Sequence, residues 1–287
     1  MEESRSTKKF KENLIRELPF YPNNKETMDE LKSQRLSEVL IHYLHWKSRI
    51  VPPRPRQVYV AQEAKTDKKW KSNEVGLSKL LKMVSLGQDI YPYHSRRAHK
   101  KGYTPISRIR CGEVDSWDDK DQLLNTRGFH HFHLNMKIQC SGLSERTDEV
   151  LFAFVTRDKF HAVGIFDHRV FEPPDSSGNG NKERERMWHL HERYTTEGME
   201  PGTLFVSNPI MSSGHPMHLR LQADRYVEIV EHNDPHLDNR KFVNEIYKQV
   251  EIPCPAKYNL EWYMDSLDLC IYDKRNDIGF VIYPGPI

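Results

Sequence analysis

The sequence lacks the motifs that identify several common classes of enzyme. Its 287 residues contain no Walker-type phosphate loop, no GxGxxG and no GxSxG, so nucleotide-driven, dinucleotide-dependent and serine-elbow hydrolase chemistry have no sequence support. HExxH and paired CxxC motifs are also missing, and these are the compact spacings of many zinc sites. The four cysteines, at positions 111, 140, 254 and 270, are far apart. We interpret them as buried free thiols.

Long apolar runs are missing as well. No stretch approaches the length of a membrane span, and the N-terminal sequence MEESRSTKKFKENL is charged from its start, unlike a secretion signal. The apolar fraction of 37% and the charged fraction of 29% are typical of a polar globular protein. We therefore expect a cytoplasmic protein that has no membrane partner.

Charge is distributed unevenly along the chain, although the net charge is only +2. Residues 1–110 contain 24 Lys and Arg against 12 Asp and Glu, whereas residues 111–287 contain 19 against 29. Such polarity indicates a region that faces a polyanion, followed by an acidic body. It equally fits the packing of one half on the other, or on an acidic protein partner.

Basic residues concentrate in two segments of the first half, residues 51–56 and residues 90–110. Residues 90–110 contain no acid and carry Tyr91, Tyr93 and Tyr103 among their cations. Cations neutralise phosphates, and aromatic rings stack on unpaired bases. These features predict contact with RNA, or with DNA. The candidate nucleic-acid-binding residues are Arg54, Arg56, Arg96, Arg97, Lys100, Lys101, Arg108 and Arg110.

Apolar spacing predicts the following local structure. Residues 26–48 form a helical stripe that Thr27 would cap, with Glu30 completing a capping box. Residues 73–86 predict a second helix that ends at Gly87, and residues 57–61 a strand. In the C-terminal part the pattern predicts one helix over 237–250 and strands over 203–206, 217–230, 260–264, 268–272 and 279–283.

The most informative stretch lies between residues 127 and 171. It begins with the run RGFHHFHLNMK, in which strand alternation places His131 and His133 on one face and His130 on the other. Two apolar stretches follow, at residues 150–155 and 160–166, and the turn-like residues 156–159 between them predict a β-hairpin. His168 comes just after the second stretch. Imidazole is the side chain best suited to proton transfer near neutral pH.

This arrangement resembles the RelE/YafQ-type mRNA interferases of bacterial toxin–antitoxin systems. The resemblance covers about residues 125–172. His133-Leu134 matches the family's histidine–leucine element, the two apolar stretches match its paired strands, and Asp167-His168 with Phe171 matches its end. The chain departs from the family in its length, in the link over residues 137–148, and in the short distance from His168 to Phe171.

The resemblance implies metal-independent RNA cleavage without a cofactor, of a toxin or phage-defence type, and an antitoxin-like protein partner. The ribose 2′-oxygen would attack the adjacent phosphorus. His133 or His131 would act as base and His168 as acid, or the reverse. Arg127 or Arg169 would hold the phosphate, and Phe171 would stack on a base.

Two other interpretations stay open at this point. In the first, His131 and His133 ligate a metal together with Asp167 or His168, and the pairs His189/His191 and His215/His218 offer similar donors. In the second, the protein is not an enzyme, and its basic half docks on nucleic acid or on an acidic protein.

The sequence predicts an α+β protein. N-terminal helices would pack on a mostly antiparallel sheet, and a C-terminal α+β extension would complete the body. The predicted portions are a basic, largely helical segment over 1–110, a RelE-like sheet core over 111–175, and the extension over 187–287.

Overall fold

The structure is a computed structural model that describes residues 3–20, 22–115, 119–172, 175, 180–205 and 208–287, without the side chains of Arg96 and Arg97. It is an α+β fold with N-terminal helices, as predicted. Among the described residues, no helix combines the length and apolar character needed to cross a membrane.

Twelve α-helices and seven strands are found in the described residues. The helices are α1 (Arg5–Glu17), α2 (Lys25–Ser33), α3 (Leu36–Lys47), α4 (Gln62–Thr66), α5 (Lys68–Ser72), α6 (Glu74–Ser85), α7 (Arg96–Lys100), α8 (Ile106–Arg110), α9 (Gln122–Arg127), α10 (Lys182–Thr196), α11 (Met217–Asn233) and α12 (Arg240–Gln249). The strands are β1 (Gln57–Val60), β2 (Phe129–His133), β3 (Glu149–Val155), β4 (Lys159–Asp167), β5 (Leu260–Asp265), β6 (Asp268–Asp273) and β7 (Ile278–Tyr283).

The chain divides into two compact units, and each unit gathers separate stretches of sequence. The first unit contains residues 1–48, 100–120 and 211–286, and the second contains residues 49–99 and 121–210 with Ile287. The portions predicted from the sequence were contiguous, whereas each of these units is assembled from distant segments.

The second unit is built on a four-stranded mixed sheet in the order β1-β4-β3-β2. β3 pairs antiparallel with both β2 and β4, which confirms the predicted hairpin, and β1 pairs parallel with β4. One face of the sheet packs with α6 residues such as Leu77 and Leu80. The other face packs with Met187 and Leu190 of α10. Because both faces are covered, the two central strands, β3 and β4, are nearly continuous runs of apolar residues.

A β-bulge changes which residues of β4 share a face. The β3–β4 register shifts between Phe152 and Ala153, and Val163 has no partner in the ladder. Phe160 and Ile165 consequently lie in the same apolar cluster, although a regular strand would place residues five apart on opposite faces.

The first unit combines helices with a three-stranded antiparallel sheet in the order β5-β6-β7. α3 contacts both α1 and α11, and α1 also contacts β5. Two buried tyrosine hydroxyls join helices to this sheet: Tyr226 donates to the carbonyl of Leu267, and Tyr247 donates to the carboxylate of Asp273 at 2.6 Å.

Two sequence predictions for this unit are wrong. Residues 217–230 form part of helix α11 instead of a strand, because Leu219, Ala223, Tyr226 and Val230 recur every three or four residues and are all buried. The predicted helix over 26–48 is two helices.

The break between α2 and α3 has a clear cause. Gln34 and Arg35 have extended backbones, and the Arg35 N–H donates to the Glu38 carboxylate at 2.9 Å to start α3. Asn24, not Thr27, caps α2, because its side chain accepts the N–H of Thr27.

Other elements agree with the sequence more closely. The helices predicted over 73–86 and 237–250 correspond to α6 and α12, and the strands predicted near 57–61, 260–264, 268–272 and 279–283 correspond to β1, β5, β6 and β7. Thr203 to Phe205 lie outside any strand, and Val206 lies outside the described residues.

Candidate functional site

Strand β2 divides its histidines between the two faces of the four-stranded sheet, as alternation predicted. His131 packs near Phe152 and Phe171, with ring centroids 6.0 and 5.2 Å away. His130 lies on the opposite face with Phe132, whose ring contacts His94. His130 is therefore separated from the group that contains His131 and His133.

The end of β4 brings His168 to His133. Ladder pairing places the end of β2, the start of β3 and the end of β4 at one edge of the sheet. Asp167 then caps a short 3-10 helix over His168–Phe171 by accepting the backbone N–H of Arg169 at 3.1 Å. The rings of His133 and His168 lie nearly parallel, 24° apart, with centroids separated by 6.2 Å.

The same short helix places the ring of Phe171 near both His131 and His168. Its ring centroid lies 5.7 Å from that of His168, and the side chain is 39% exposed. The residues His131, His133, His168 and Phe171 thus form one continuous cluster, which we call the histidine cluster. Its convergence is the central feature that the sequence predicted.

Hydrogen bonds fix the tautomer of His168. Its Nδ1–H donates to the carbonyl oxygen of Asp148 at 2.8 Å, since a carbonyl can only accept. The Nε2 atom of the neutral ring therefore carries the lone pair, and Nη2 of the exposed Arg146 lies 3.4 Å from it as a donor. His168 is consequently oriented as a proton acceptor beside a permanent cation.

Thr147 contacts His133 from the link between β2 and β3, which also contains Arg146 and Asp148. The Nδ1 atom of His133 lies 3.4 Å from both the backbone nitrogen and the hydroxyl oxygen of Thr147. That hydroxyl in turn donates to the carbonyl of Glu149. His133 is only 6% exposed, so packing and these contacts hold its ring in one orientation.

His131 is held in its neutral form. Burial lowers the pKa of its imidazole, and although Asp121 opposes this, nearby His168 adds to the shift. The Nδ1 atom lies 3.6 Å from the Asp121 carboxylate. This shift favours the neutral imidazole, and its ring contacts with Phe152 and Phe171 suit His131 to packing within the cluster.

The two arginines predicted to hold a phosphate have other contacts. Arg169 is next to the cluster, but its guanidinium forms a two-point ion pair with Asp167, at 3.0 and 2.7 Å. Arg127 lies over the ring of Trp188 at 4.9 Å. Arg146 was not among the predicted residues, yet its Nη2 atom lies 3.4 Å from Nε2 of His168.

A network of charges anchors the end of β4. Lys69 pairs with Asp167 at 2.9 Å and with Glu183 at 2.8 Å. The hydrogen bond from the Arg169 side chain, together with Lys69, holds the pKa of Asp167 well below its usual range. Asp167 is therefore an ionised structural cap rather than a proton carrier or a free metal ligand.

The predicted nucleic-acid-binding residues are in varied environments. Arg56 is 4% exposed and donates to the carbonyls of Thr156, Pro52 and Arg54. Arg54 is half-buried. Arg108 pairs with Glu113 at 2.7 Å.

The remaining predicted cations lie in and around α7 and α8. Lys100 and Arg110 are exposed, and Lys101 is half-buried. The side chains of Arg96 and Arg97 lie outside the described part of the chain.

The described residues contain no group of three or more His, Cys, Asp or Glu side chains arranged to hold a metal ion. His191 packs against the rings of Phe129 and Phe154, and burial lowers its pKa. His215 contacts the rings of His42 and His45. One histidine of each of the pairs His189/His191 and His215/His218 is thus engaged with neighbouring rings.

Comparison of the chain with known protein families, with curated proteins and with solved structures gave no match.

Proposed function

We propose that the histidine cluster cleaves RNA by attack of the ribose 2′-oxygen, without a metal ion. The observation that supports this most strongly is the pair of nearly parallel imidazoles, His133 and His168, 6.2 Å apart, of which His168 has a defined tautomer and an adjacent guanidinium. This reaction is also the one implied by the resemblance to RelE/YafQ-type mRNA interferases.

The proposed role of His168 rests on its hydrogen bonds, and His133 takes the complementary role. Nε2 of His168 takes the proton from the 2′-hydroxyl as the 2′-oxygen forms its bond to phosphorus. His133 enters the step as an imidazolium, with its Nδ1–H donating to the Thr147 hydroxyl oxygen, and gives its Nε2 proton to the 5′-oxygen as the bond between phosphorus and that oxygen breaks. The products are a 2′,3′-cyclic phosphate and a 5′-hydroxyl. His168 is thus the base and His133 the acid, which is one of the two orders that the sequence left open.

Arg146 and Phe171 supply the remaining parts of the proposal. The exposed guanidinium of Arg146, beside Nε2 of His168, would stabilise the negative charge that develops on the phosphoryl oxygens. The partly exposed ring of Phe171 would stack on a base next to the cleaved bond.

The leaving group of the substrate provides the sharpest test. A dinucleotide and a uridine 3′-nitrophenyl phosphate would be compared, because nitrophenolate leaves without protonation. His168→Ala should lose at least roughly a hundredfold in kcat/KM on both substrates, as expected for a lost general base. His133→Ala should lose that much on the dinucleotide but little on the nitrophenyl ester.

Two results would contradict the proposal. One is equal cleavage of strands with ribose and deoxyribose at the cut position, and the other is full activity in both alanine variants. Loss of activity in a chelator would instead favour the metal-dependent interpretation. His189→Ala, a change of an exposed histidine on α10, serves as the matched control.

A further inference from the structure

The first unit carries a cationic groove that is separate from the histidine cluster. It is an open groove of about 670 Å³, lined by Arg5, Lys8, Lys9, Glu12, Asn13, Arg16 and Lys274. The lining contains five cations and one carboxylate, and every lining residue except Asn13 is exposed. We call it the α1 groove.

The sequence of α1 explains why these cations share one surface. Apart from Lys274, the charged lining residues lie on α1 at positions 5, 8, 9, 12 and 16, a three-to-four-residue spacing that includes Glu12, while Phe10, Leu14 and Ile15 are buried on the other side of the helix. Arg5 and Arg16 are eleven residues apart, so the charged face is about 16 Å long. One strand of a duplex carries a phosphate for about every 3.4 Å of axis, so this face can meet several phosphates.

A carboxylate holds two of the lysines in place. Glu261 on β5, only 14% exposed, pairs with Lys9 at 2.6 Å and with Lys274 at 2.9 Å. These two lysines outweigh the effect of burial and lower the pKa of Glu261. In contrast, Arg5 and Arg16 make no ion pair with any residue in the described part of the chain. Two positioned lysines and two uncommitted arginines therefore surround the groove.

Helix stability does not account for this arrangement. The first turn of α1 contains no acid, and Arg5, Lys8 and Lys9 lie near the end of the helix where the macrodipole disfavours cations. Their positions cost the isolated helix stability, and an anionic ligand would remove that cost.

We propose that the α1 groove binds the phosphodiester backbone of a nucleic-acid strand. No apolar or aromatic side chain lines it, whereas protein–protein interfaces have an apolar centre and few lysines. A membrane-binding helix would need an exposed apolar face, but the apolar face of α1 is buried. The absence of aromatic rings in the lining also indicates contact with the backbone instead of base stacking.

The proposal concerns binding only and does not require the histidine cluster to cut RNA. It is best tested with a labelled polydeoxythymidine strand, which lacks the 2′-hydroxyl and cannot undergo the proposed cleavage. Fluorescence anisotropy would give the affinity of the full chain over a range of salt concentrations. The double variant Arg5→Gln/Arg16→Gln should bind more weakly, and its plot of log affinity against log salt should be shallower by about 1.4, or about 0.7 for each lost phosphate contact.

The matched control removes two exposed cations from α12, in Lys241→Gln/Lys248→Gln, and should bind like the parent. Circular dichroism should show that both double variants are folded, since Arg5 is an unfavourable cation in the first turn of α1 and the side chains of Arg5 and Arg16 are both exposed. An unchanged affinity and slope in the α1 variant, or an equal loss in the control, would overturn the proposal. Equal binding of polyglutamate, with the same salt slope and the same loss in the α1 variant, would assign the groove to an acidic protein.

Discussion

At Gly76 on α6, the structure and simple helix propensity predict opposite effects of an alanine substitution on stability. Replacing glycine by alanine inside a helix normally stabilises it by up to about 1 kcal/mol. At this position, however, an added Cβ would lie 2.3 Å from the carbonyl oxygen of Leu134 and 3.3 Å from its carbonyl carbon. We therefore expect Gly76→Ala to destabilise the second unit.

The size of the effect follows from what must move. The clashing atom belongs to the backbone, so no side-chain rotation can relieve the contact. Overpacking of this kind costs about 1–3 kcal/mol, and the upper part of that range applies because the separation must increase by about 1 Å. After the helix-propensity gain is subtracted, the net destabilisation is about 2 kcal/mol. The change also displaces the residue next to His133, so any cleavage activity should fall with stability.

Hydrogen exchange measured by mass spectrometry can follow this effect locally. Peptides that cover α6 and β2 should exchange roughly thirtyfold faster in Gly76→Ala, which corresponds to about 2 kcal/mol in the opening equilibrium. The control is Ser78→Ala, an exposed position on the same helix, which should be neutral or slightly protective. If Gly76→Ala protects these peptides as much as Ser78→Ala does, the predicted contact between α6 and Leu134 is wrong.

Three further predictions concern stability and binding. Burial opposes the ionisation of Asp273, but hydrogen bonds led by the Tyr247 hydroxyl hold the pKa of this carboxyl below its usual range. The stability that the ionised carboxylate contributes is therefore present above about pH 4 and is lost as the pH falls through the lowered pKa. Asp273→Asn should be less stable at pH 7 by about 1–3 kcal/mol and should lose less stability on acidification, as measured by urea unfolding at several pH values. Arg56→Gln should lower the midpoint of thermal unfolding, because it removes the hydrogen bond to the Thr156 carbonyl at 2.9 Å. The salt dependence of nucleic-acid binding should stay unchanged. A weaker salt dependence with an unchanged midpoint would mean that Arg56 contacts phosphate. Replacing Arg96, Arg97, Lys100 and Lys101 together by glutamine should weaken binding to all sequences at low and moderate salt, and unchanged binding would show that these residues do not contact nucleic acid.

Local patterns predicted much of the secondary structure because they depend on neighbouring residues. The hairpin of β3 and β4 follows from two apolar stretches around a polar turn, and α6 and α12 follow from helical spacing. The assembly of each compact unit from distant stretches depends on contacts between remote segments, which spacing does not encode. The error at α11 has a different origin, since the helical spacing of Leu219, Ala223, Tyr226 and Val230 is a local pattern that the sequence contains.

Arg146 illustrates a different limit. It lies in the link between β2 and β3, where no periodicity assigns a direction to a side chain, and it is followed by Thr147 and Asp148, which contact His133 and His168. The signal available in the sequence was that a polar segment directly follows the strand that carries His131 and His133. Loops positioned by rigid strands often carry functional groups, and this link carries Arg146, the cation beside His168.

The bulge in β4 explains why the predicted convergence of histidines is correct even though simple alternation along that strand would not give it. Counting from Phe160 with a period of two would place His168 on the α6 side of the sheet, opposite His131 and His133. The extra residue at Val163 reverses the alternation, so that Phe166 instead joins the cluster of Phe129 and Phe152. His168 follows on that same face and meets the ring of His133. Bulges commonly re-aim side chains next to functional sites, and this one places an imidazole, with its tautomer fixed by Asp148, where the proposed chemistry requires a base.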